Sequence, residues 1–334
     1  MWFKLTPAYL VQEVRQNVLP KWDQHVYIPK VHLDLCTKHL LVMEFLPGVK
    51  LVDGIRSHYK EVAKSVGKSF EEIEEEQKKA ILNGTIKFRT MEQVKWSNFF
   101  IRLWLFIKDA ILSYNPARFM HNVSPLRLLN GPLPYVWSER PLDLAEILDI
   151  LSRVHASEIF ADGVFNSDCH PVKMSQFMPI ILNILQGNVL LLKDGRLGLI
   201  DYGQVKRLDL ADRLKYAKLI LALARDDRAE IVRLYFDELG TKTKYRKADT
   251  AYRAACFWSD RDTPDVLGKH NLATFIDALE AEDPMIQLPE AYIMASRVSI
   301  MLRGMGNAFG LKLRVSKLWE DEARRLLISQ GVTL

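Results

Sequence analysis

Cysteine is scarce in this 334-residue chain: Cys36, Cys169 and Cys256 lie far apart and no CxxC pair occurs. An odd, dispersed set argues against a disulfide framework and a cysteine-based zinc site, and makes a reducing compartment the expectation. A dense Lys/Arg block is also missing. The net charge of +5 is scattered, which speaks against a nucleic-acid partner but suits a nucleotide or an anionic membrane. No apolar run reads as a bilayer span: Phe99–Ile107 is split by Arg102 and followed by Lys108, and Met174–Leu192 contains Pro179, Asn183, Gln186 and Gly187. The N-terminal stretch lacks the pattern of a secretory signal and the Arg/Ser-rich composition of a transit peptide. What is there is globular: 49% hydrophobic and 26% charged residues allow a substantial core.

Val26–Leu33 and His39–Phe45 read as two strands, stopped by Pro47 and Gly48. Residues 53–114 read as helical. Ser69 and Glu72 have capping-box spacing, and the acidic run Glu71–Glu76 reads as a solvated helix face. Trp96–Tyr114 is strongly apolar, and the expectation is a helix packed in a core or an interface rather than on a membrane surface. Asn115–Pro141, rich in proline, reads as a loop or irregular insert. Leu142–Asp162 is an amphipathic helix ended by Gly163, with His155 on its apolar face as a core histidine. Residues 205–334 read as helices with breaks near Gly240–Lys247, Ser259–Pro264 and Pro284–Pro289.

The chemistry concentrates in GNVLLLKDGRLGLIDYG, residues 187–203. Two short apolar strands, Val189–Leu192 and Leu197–Ile200, flank an Asp-Gly turn, the favoured hairpin pair. A hairpin brings its open ends together. Asn188 before the first strand and Asp201 after the second therefore sit side by side, where their oxygens suit a hard cation. Upstream, Asp168 lies in the loop Asn166-Ser167-Asp168-Cys169-His170-Pro171. One carboxylate to orient or deprotonate a hydroxyl, beside an Asn/Asp pair for magnesium on nucleotide phosphates, is the layout phosphoryl transfer needs.

These residues carry a resemblance to the UbiB/aarF-domain family of atypical kinases, linked to coenzyme Q and other isoprenoid-lipid metabolism. The family's catalytic loop runs close to F-(H/N)-(A/G)-D-P-H-P-G-N, followed by two strands and D-(F/Y)-G. Here the matching residues are Phe165 to Pro171, then Gly187, Asn188 and Asp201-Tyr202-Gly203. The resemblance implies that Asp168 is the catalytic aspartate and that Asn188 and Asp201 bind Mg2+. HLLVMEFLPGV, residues 39–49, looks like a kinase hinge strand; Met43 would be the gatekeeper, and the backbone of Glu44 and Leu46 would meet the adenine of ATP. Arg297–Gly306 resembles the family's C-terminal R…LRG.G helix. His170 is matched in the family loop and read as structural, and Cys169 stands where the family has proline. An aminoglycoside- or choline-kinase type shares the Asp…Asn…Asp layout, but the LRG helix favours the UbiB-like reading.

The chain departs from the pattern twice. The family places the metal-binding Asn five residues after the Asp, whereas Asn188 follows Asp168 by twenty. The intruding Val172–Gln186 has an in-frame length, begins with Val-Lys, encodable as a splice-donor-like GTNAAR, and ends with Gln, encodable as CAG. We read it as a retained intron in preference to a genuine helix or apolar flap. Excision would give DCHPGNVLLL, close to the family loop. The second departure is the small lobe: no V-A-x-K strand, K-x-G-Q element or Gly/Ala-rich loop is visible, and Glu13 is not a safe stand-in for the helix glutamate that pairs the lysine. Without that lysine, weak or absent activity is expected of the chain as written.

The resulting expectation is an α+β, protein-kinase-like fold, mainly the helical C-lobe with a hinge and a remnant of the N-lobe. Its divisions are an N-lobe remnant and hinge at 1–48, a helical insert and Pro-rich loop at 49–141, and the C-lobe at 142–334. The expected activity is ATP- and Mg2+-dependent phosphoryl transfer in the complete parent protein, with a pseudokinase-like module that binds lipid or a protein partner as the alternative. A mitochondrial or plastid location follows from the resemblance alone.

Overall fold

The structure is a computed structural model, and it describes residues 7–37, 39–65, 67–69, 71–72, 75–76, 79, 88–138, 142–166, 189–200 and 205–332. Helix α1 (Pro7–Trp22) leads into strand β1 (Val26–Tyr27), and strand β2 (Gly48–Lys50) runs directly into helix α2 (Leu51–Ser65). Helix α3 (Met91–Ile107) continues as a π-helical stretch to Leu112, followed by α4 (Asn115–Val123) and α5 (Leu126–Asn130). Helix α6 (Leu144–Ala156), with a π-helical end at Ser157–Asp162, precedes strands β3 (Val164–Asn166), β4 (Val189–Leu192), β5 (Leu197–Leu199) and β6 (Val205–Arg207). The helical remainder comprises α7 (Leu210–Arg225), α8 (Arg228–Arg233), β7 (Lys242–Thr243), α9 (Ala248–Ser259), α10 (Pro264–Leu267), α11 (Leu272–Glu282), β8 (Met285–Gln287), α12 (Glu290–Ala308) and α13 (Val315–Ser329). The architecture is therefore mixed α and β, mostly helical with small sheets, and all three breaks expected beyond residue 205 fall between helices.

The four-stranded sheet has the order β1-β5-β4-β2, with β1 parallel to β5 and the other pairs antiparallel. A second, two-stranded sheet joins β3 to β6. The helical core behind them is centred on aromatic rings: Phe160 stacks on Tyr216 at 5.9 Å, Tyr216 meets Trp319 and Tyr292 edge-on, and the indole N–H of Trp319 donates to the Ser152 carbonyl at 3.1 Å. Buried tryptophan and tyrosine bring large apolar area but need a partner for their polar tips, which the Ser152 carbonyl supplies for Trp319.

Helix α6 forms where the apolar periodicity places it. Asp143 caps its start by accepting from the Glu146 N–H, and Gly163 closes its end at φ +69°, a left-handed conformation that glycine adopts without a Cβ penalty. A Cβ on Gly163 would lie 2.8 Å from the Leu208 carbonyl oxygen, so the site demands glycine twice over. His155 is buried as expected, its Nδ1 2.8 Å from Glu158 Oε2. The Ser69/Glu72 capping box is also formed: each backbone N–H donates to the other's side chain, at 2.8 and 3.1 Å.

Three local expectations change. Of the strands expected at Val26–Leu33 and His39–Phe45, only Val26–Tyr27 is a strand; the remainder is joined by a single antiparallel bridge, Val31 to Met43, and Leu33–Leu35 is a 3-10 turn. Sheet pairing here ends after two rungs, so β-propensity alone overstates the strands. Asn115–Pro141 is not simply a loop: Pro116 sits in the first turn of α4, where its missing N–H costs nothing, and α5 begins after Pro125. Trp96–Tyr114 is helical but not buried in a core, since Trp96 and Trp104 are 64% and 57% exposed.

Candidate functional site

Two pieces of β-structure frame the candidate site. The hairpin of β4 and β5 forms as the Asp-Gly pair dictates. Leu190 pairs with Gly198 and Leu191 with Leu197, and Val189 opposes Leu199 at the open end. The Gly195 N–H donates to the Leu192 carbonyl at 3.1 Å with Gly195 at φ +89°, and the Asp194 carboxylate accepts from the Arg196 backbone N–H and Nε. That Arg196 guanidinium holds the Asp194 carboxyl below the usual carboxylate range. Arg196 also lies over the Tyr27 ring at 4.8 Å and donates to the Asp23 carbonyl, so the hairpin tip is tied to β1 and its approach.

The second piece is the β3–β6 ladder. Val164, Phe165 and Asn166 pair with Arg207, Lys206 and Val205. Phe165 is fully buried and anchors the ladder to the helical core. Glu13 of α1 pairs with Arg207, which ties the first helix to this strand and gives Glu13 a structural partner on β6. Asp168, Asn188 and Asp201 lie outside the described residues, as do Cys169, His170, Tyr202, Gly203 and Val172–Gln186. In sequence, the nearest described residues are Asn166, two before Asp168, Val189, directly after Asn188, and Ile200, directly before Asp201. Among the described residues no cluster of three or more His, Cys, Asp or Glu side chains suits a metal ion.

The segment expected to form a hinge, residues 39–49, is brought onto this hairpin. Leu46 is buried, and a Cβ built on Gly198 would lie 3.2 Å from its Cδ1; Gly48 pairs with Leu192 and Val49 with Leu191 in the β2–β4 ladder. Met43 is half-buried at the bridge to Val31. The Glu44 N–H donates to the Lys30 carbonyl at 2.8 Å and the His32 N–H to the Val42 carbonyl at 2.9 Å. Among the described residues, neither the Glu44 carbonyl nor the Leu46 N–H is engaged in a hydrogen bond, leaving an acceptor and a donor two residues apart in the segment before β2.

The Glu44 side chain has a role the sequence did not signal. Its carboxylate accepts from the Tyr27 hydroxyl at 2.8 Å and the Lys30 N–H at 3.1 Å. Partial burial pushes the carboxyl up, but these two donors, with Arg15 and His32 nearby, outweigh it and hold the group below the usual carboxylate range. Glu44 therefore braces the hinge against β1 with its side chain while its carbonyl stays available. Only the hydrogen-bond register brings Tyr27 to it.

The C-terminal helix that matched R…LRG.G is α12, and the structure places it in the core. Arg303 is fully buried, donates to the Phe257 carbonyl and lies over the Phe257 ring at 5.6 Å. Asp262, also buried, accepts from Asn307 at 2.8 Å and pairs with Lys312 at 3.2 Å. This motif scaffolds the helical core. Burial likewise pushes the Cys256 thiol up to about 12, which leaves it an unreactive core residue.

Comparison with known proteins adds to this geometry. The sequence model of the ABC1 atypical kinase-like domain matches residues 8–104 and 135–235, more than half of the chain. An uncharacterized protein of Synechocystis sp. (strain ATCC 27184 / PCC 6803 / Kazusa) is 34% identical over 89 residues, which is 27% of this chain and 18% of that protein.

Proposed function

The chain belongs to the ABC1 atypical kinase-like family, and from that premise we propose that it is a nucleotide-binding module whose chemistry is ATP- and Mg2+-dependent phosphoryl transfer. The observation that carries the reading is the β3–β6 register. It sets Asn166, which leads into the Asp168 loop, opposite Val205, which leaves the Asp201-Tyr202-Gly203 motif, while the hairpin closes its open end at Val189 and Leu199. The register supports the reading because it pairs the strand that enters the Asp168 loop with the strand that leaves the Asp201 motif, as a catalytic carboxylate and metal ligands acting together would require.

In this reading the adenine lies along the hinge beyond Met43, its amino group donating to the Glu44 carbonyl and a ring nitrogen accepting from the Leu46 N–H. Asp168 orients the acceptor hydroxyl and takes its proton as the oxygen attacks the γ-phosphorus of ATP, the bond from that phosphorus to the β,γ-bridging oxygen breaks, and ADP leaves. Asn188 and Asp201 are oxygen donors, suited to a hard cation. When bound, Mg2+ neutralises charge on the β- and γ-phosphate oxygens. The family resemblance links the reaction to isoprenoid quinone or lipid metabolism, and the same resemblance suggests a mitochondrion or plastid.

A second reading, a pseudokinase-like module without turnover, is favoured by one observation: Asn188 follows Asp168 by twenty positions. Closing a longer loop costs little entropy, but catalytic groups must be held to about half an ångström. Titration with a fluorescent ATP analogue, with and without Mg2+, separates the readings. Mg2+-dependent binding that disappears in Asp201→Ala supports phosphoryl-transfer machinery. Lipid or partner binding that persists in Asp201→Ala, with no nucleotide effect in the wild type, overturns it in favour of the module.

A further inference from the structure

Residues 91–137 form an apolar surface that the rest of the fold does not cover. Among the described residues thirty-one large hydrophobic side chains stand exposed, and twenty of them lie between Trp96 and Trp137. Soluble monomers seldom leave a contiguous apolar patch beyond a few hundred Å² exposed, and larger ones mark interaction sites.

This element is an ordered paddle. Thr90 and Gln93 form a reciprocal capping box at the start of α3. One side of α3 is fastened to α6 through polar contacts: Asn98 donates to Asp143, Arg102 bridges Asp143 and Glu146, and Lys95 reaches Asp149 at 3.4 Å. The returning segment is zipped to α4 by two asparagines seven residues apart. Asn115 bonds both the N–H and the carbonyl of Val136, and Asn122 does the same with Leu133. Phe106 stacks on Trp137 at 6.2 Å. With its backbone thus satisfied, the paddle turns its apolar side chains outward. Leu128 and Leu129, at the tip on α5, are 89% and 81% exposed.

We propose that this paddle docks onto an anionic lipid surface and lies within its interface. Three features select that partner. First, the exposed set mixes Leu, Ile and Phe with Trp96, Trp104, Tyr114, Tyr135 and Trp137, the amphipathic rings suited to the headgroup boundary. Second, the charge left over on this face is basic: Lys95, Arg102 and Lys108 are taken up in ion pairs, Asp109 is buried under Ser138, and Arg127 is left for an anionic headgroup. Arg127 stands exposed between two exposed leucines, with no ion pair among the described residues. Third, a groove of about 350 Å³ lined by Ala110, Pro116, Phe119, Met120, Tyr135 and Trp137 opens within the paddle, an apolar slot for part of an acyl chain. No helix among the described residues is long and apolar enough to cross a bilayer, so the contact is with its surface. The stretch 105–134, which includes α4 and α5, falls outside the family match, whereas Trp96–Trp104 and Tyr135–Trp137 fall inside it, so the family match covers only part of this surface. It stands apart from the nucleotide reading, because no candidate site residue lies in it.

The test is flotation of the full chain with phosphatidylcholine vesicles, with mixed phosphatidylcholine–phosphatidylglycerol vesicles, and without lipid. The expected result is co-flotation with the anionic vesicles, weakened by salt and reduced about tenfold or more in Phe100→Glu/Trp104→Glu. Both side chains are exposed, and an unchanged thermal midpoint identifies a folded variant. A second measurement needs no disruptive change: brominated lipids in the vesicles quench the wild-type tryptophan emission, and the quenching is lost when Trp96, Trp104 and Trp137 are all phenylalanine. Failure to float, flotation undiminished in Phe100→Glu/Trp104→Glu, or quenching unaltered by the phenylalanine variant overturns the proposal. So does wild-type self-association that this double variant abolishes without any vesicle binding, which would assign the face to a second copy of the chain.

Discussion

Asn166 and Val205 are register partners across the antiparallel β3–β6 ladder. They are 39 positions apart in the chain, and their pairing closes the segment that holds the Asp168 loop, the β4–β5 hairpin and the Asp201-Tyr202-Gly203 motif into one unit. In the proposed mechanism Asp168 and Asp201 then have separable duties. Asp201→Ala is expected to abolish the Mg2+ dependence of nucleotide binding. Asp168→Asn is expected to leave that binding within about twofold and to lower turnover by at least about a hundredfold. Nucleotide titration and steady-state phosphate release, made on the same preparations, read the two effects. Equal loss of binding in both variants would contradict the division of labour.

Removal of Val172–Gln186, joining Pro171 to Gly187, is expected to raise turnover by about tenfold to a hundredfold, because a small misplacement of a catalytic group costs about that much. The transcript offers a direct check. A cDNA lacking those codons would show that the shortened chain is the natural one. Unchanged or lower turnover on deletion would mark the segment as part of the working protein.

Gly198 lies where the hinge meets the hairpin, and its hypothetical Cβ falls 3.2 Å from both Leu192 Cδ2 and Leu46 Cδ1. Gly198→Val is expected to push Leu46 off the hairpin, destabilising the fold by about 1–3 kcal/mol and weakening nucleotide binding. Gly198→Ala, with flexible leucine tips to move, should be milder on both counts. Urea unfolding alongside nucleotide titration would reveal whether the hinge and hairpin act together.

Gly306 faces a stiffer neighbour. Its Cβ would sit 2.9 Å from the Leu311 backbone oxygen and 2.8 Å from Leu313 Cγ. Gly306→Ala should therefore destabilise by about 1–3 kcal/mol, because a backbone carbonyl does not swing aside as a side chain can. A thermal midpoint equal to that of the wild type would remove the close approach as the reason for glycine here.

Asp262 predicts a pH dependence. Burial raises its pKa, but Arg303 and Lys312, with the hydrogen bond from Asn307, more than offset this and hold it below the ordinary carboxylate value. A carboxyl depressed in the folded state contributes stability that is fully present above its unfolded pKa, about 3.9. That contribution is lost as pH falls through the folded value. The wild type should lose midpoint stability on acidification below about pH 4, and Asp262→Asn should show a shallower decline over the same window. Parallel profiles would show that Asp262 does not carry the effect.

The amino-acid sequence by itself determined several local features. The Asp-Gly pair set the β4–β5 hairpin, the apolar spacing and Gly163 set α6 and its end, and Ser69 with Glu72 set a capping box, because each depends on neighbours a few residues away. The family was legible for the same reason, since the pieces of its motifs, Phe165–Pro171 and Asp201-Tyr202-Gly203, are each local. Pairings across long separations were decided only by the tertiary structure: β3 with β6, Glu44 with Tyr27, Arg303 with Phe257 in the core. The fate of Trp96–Tyr114 was also decided there. Its composition suits a core helix as well as a surface one, and burial depends on what packs against it. Asp143, Glu146 and Asp149 hold one side of α3, and no described element covers the other, so the aromatic face is left outward.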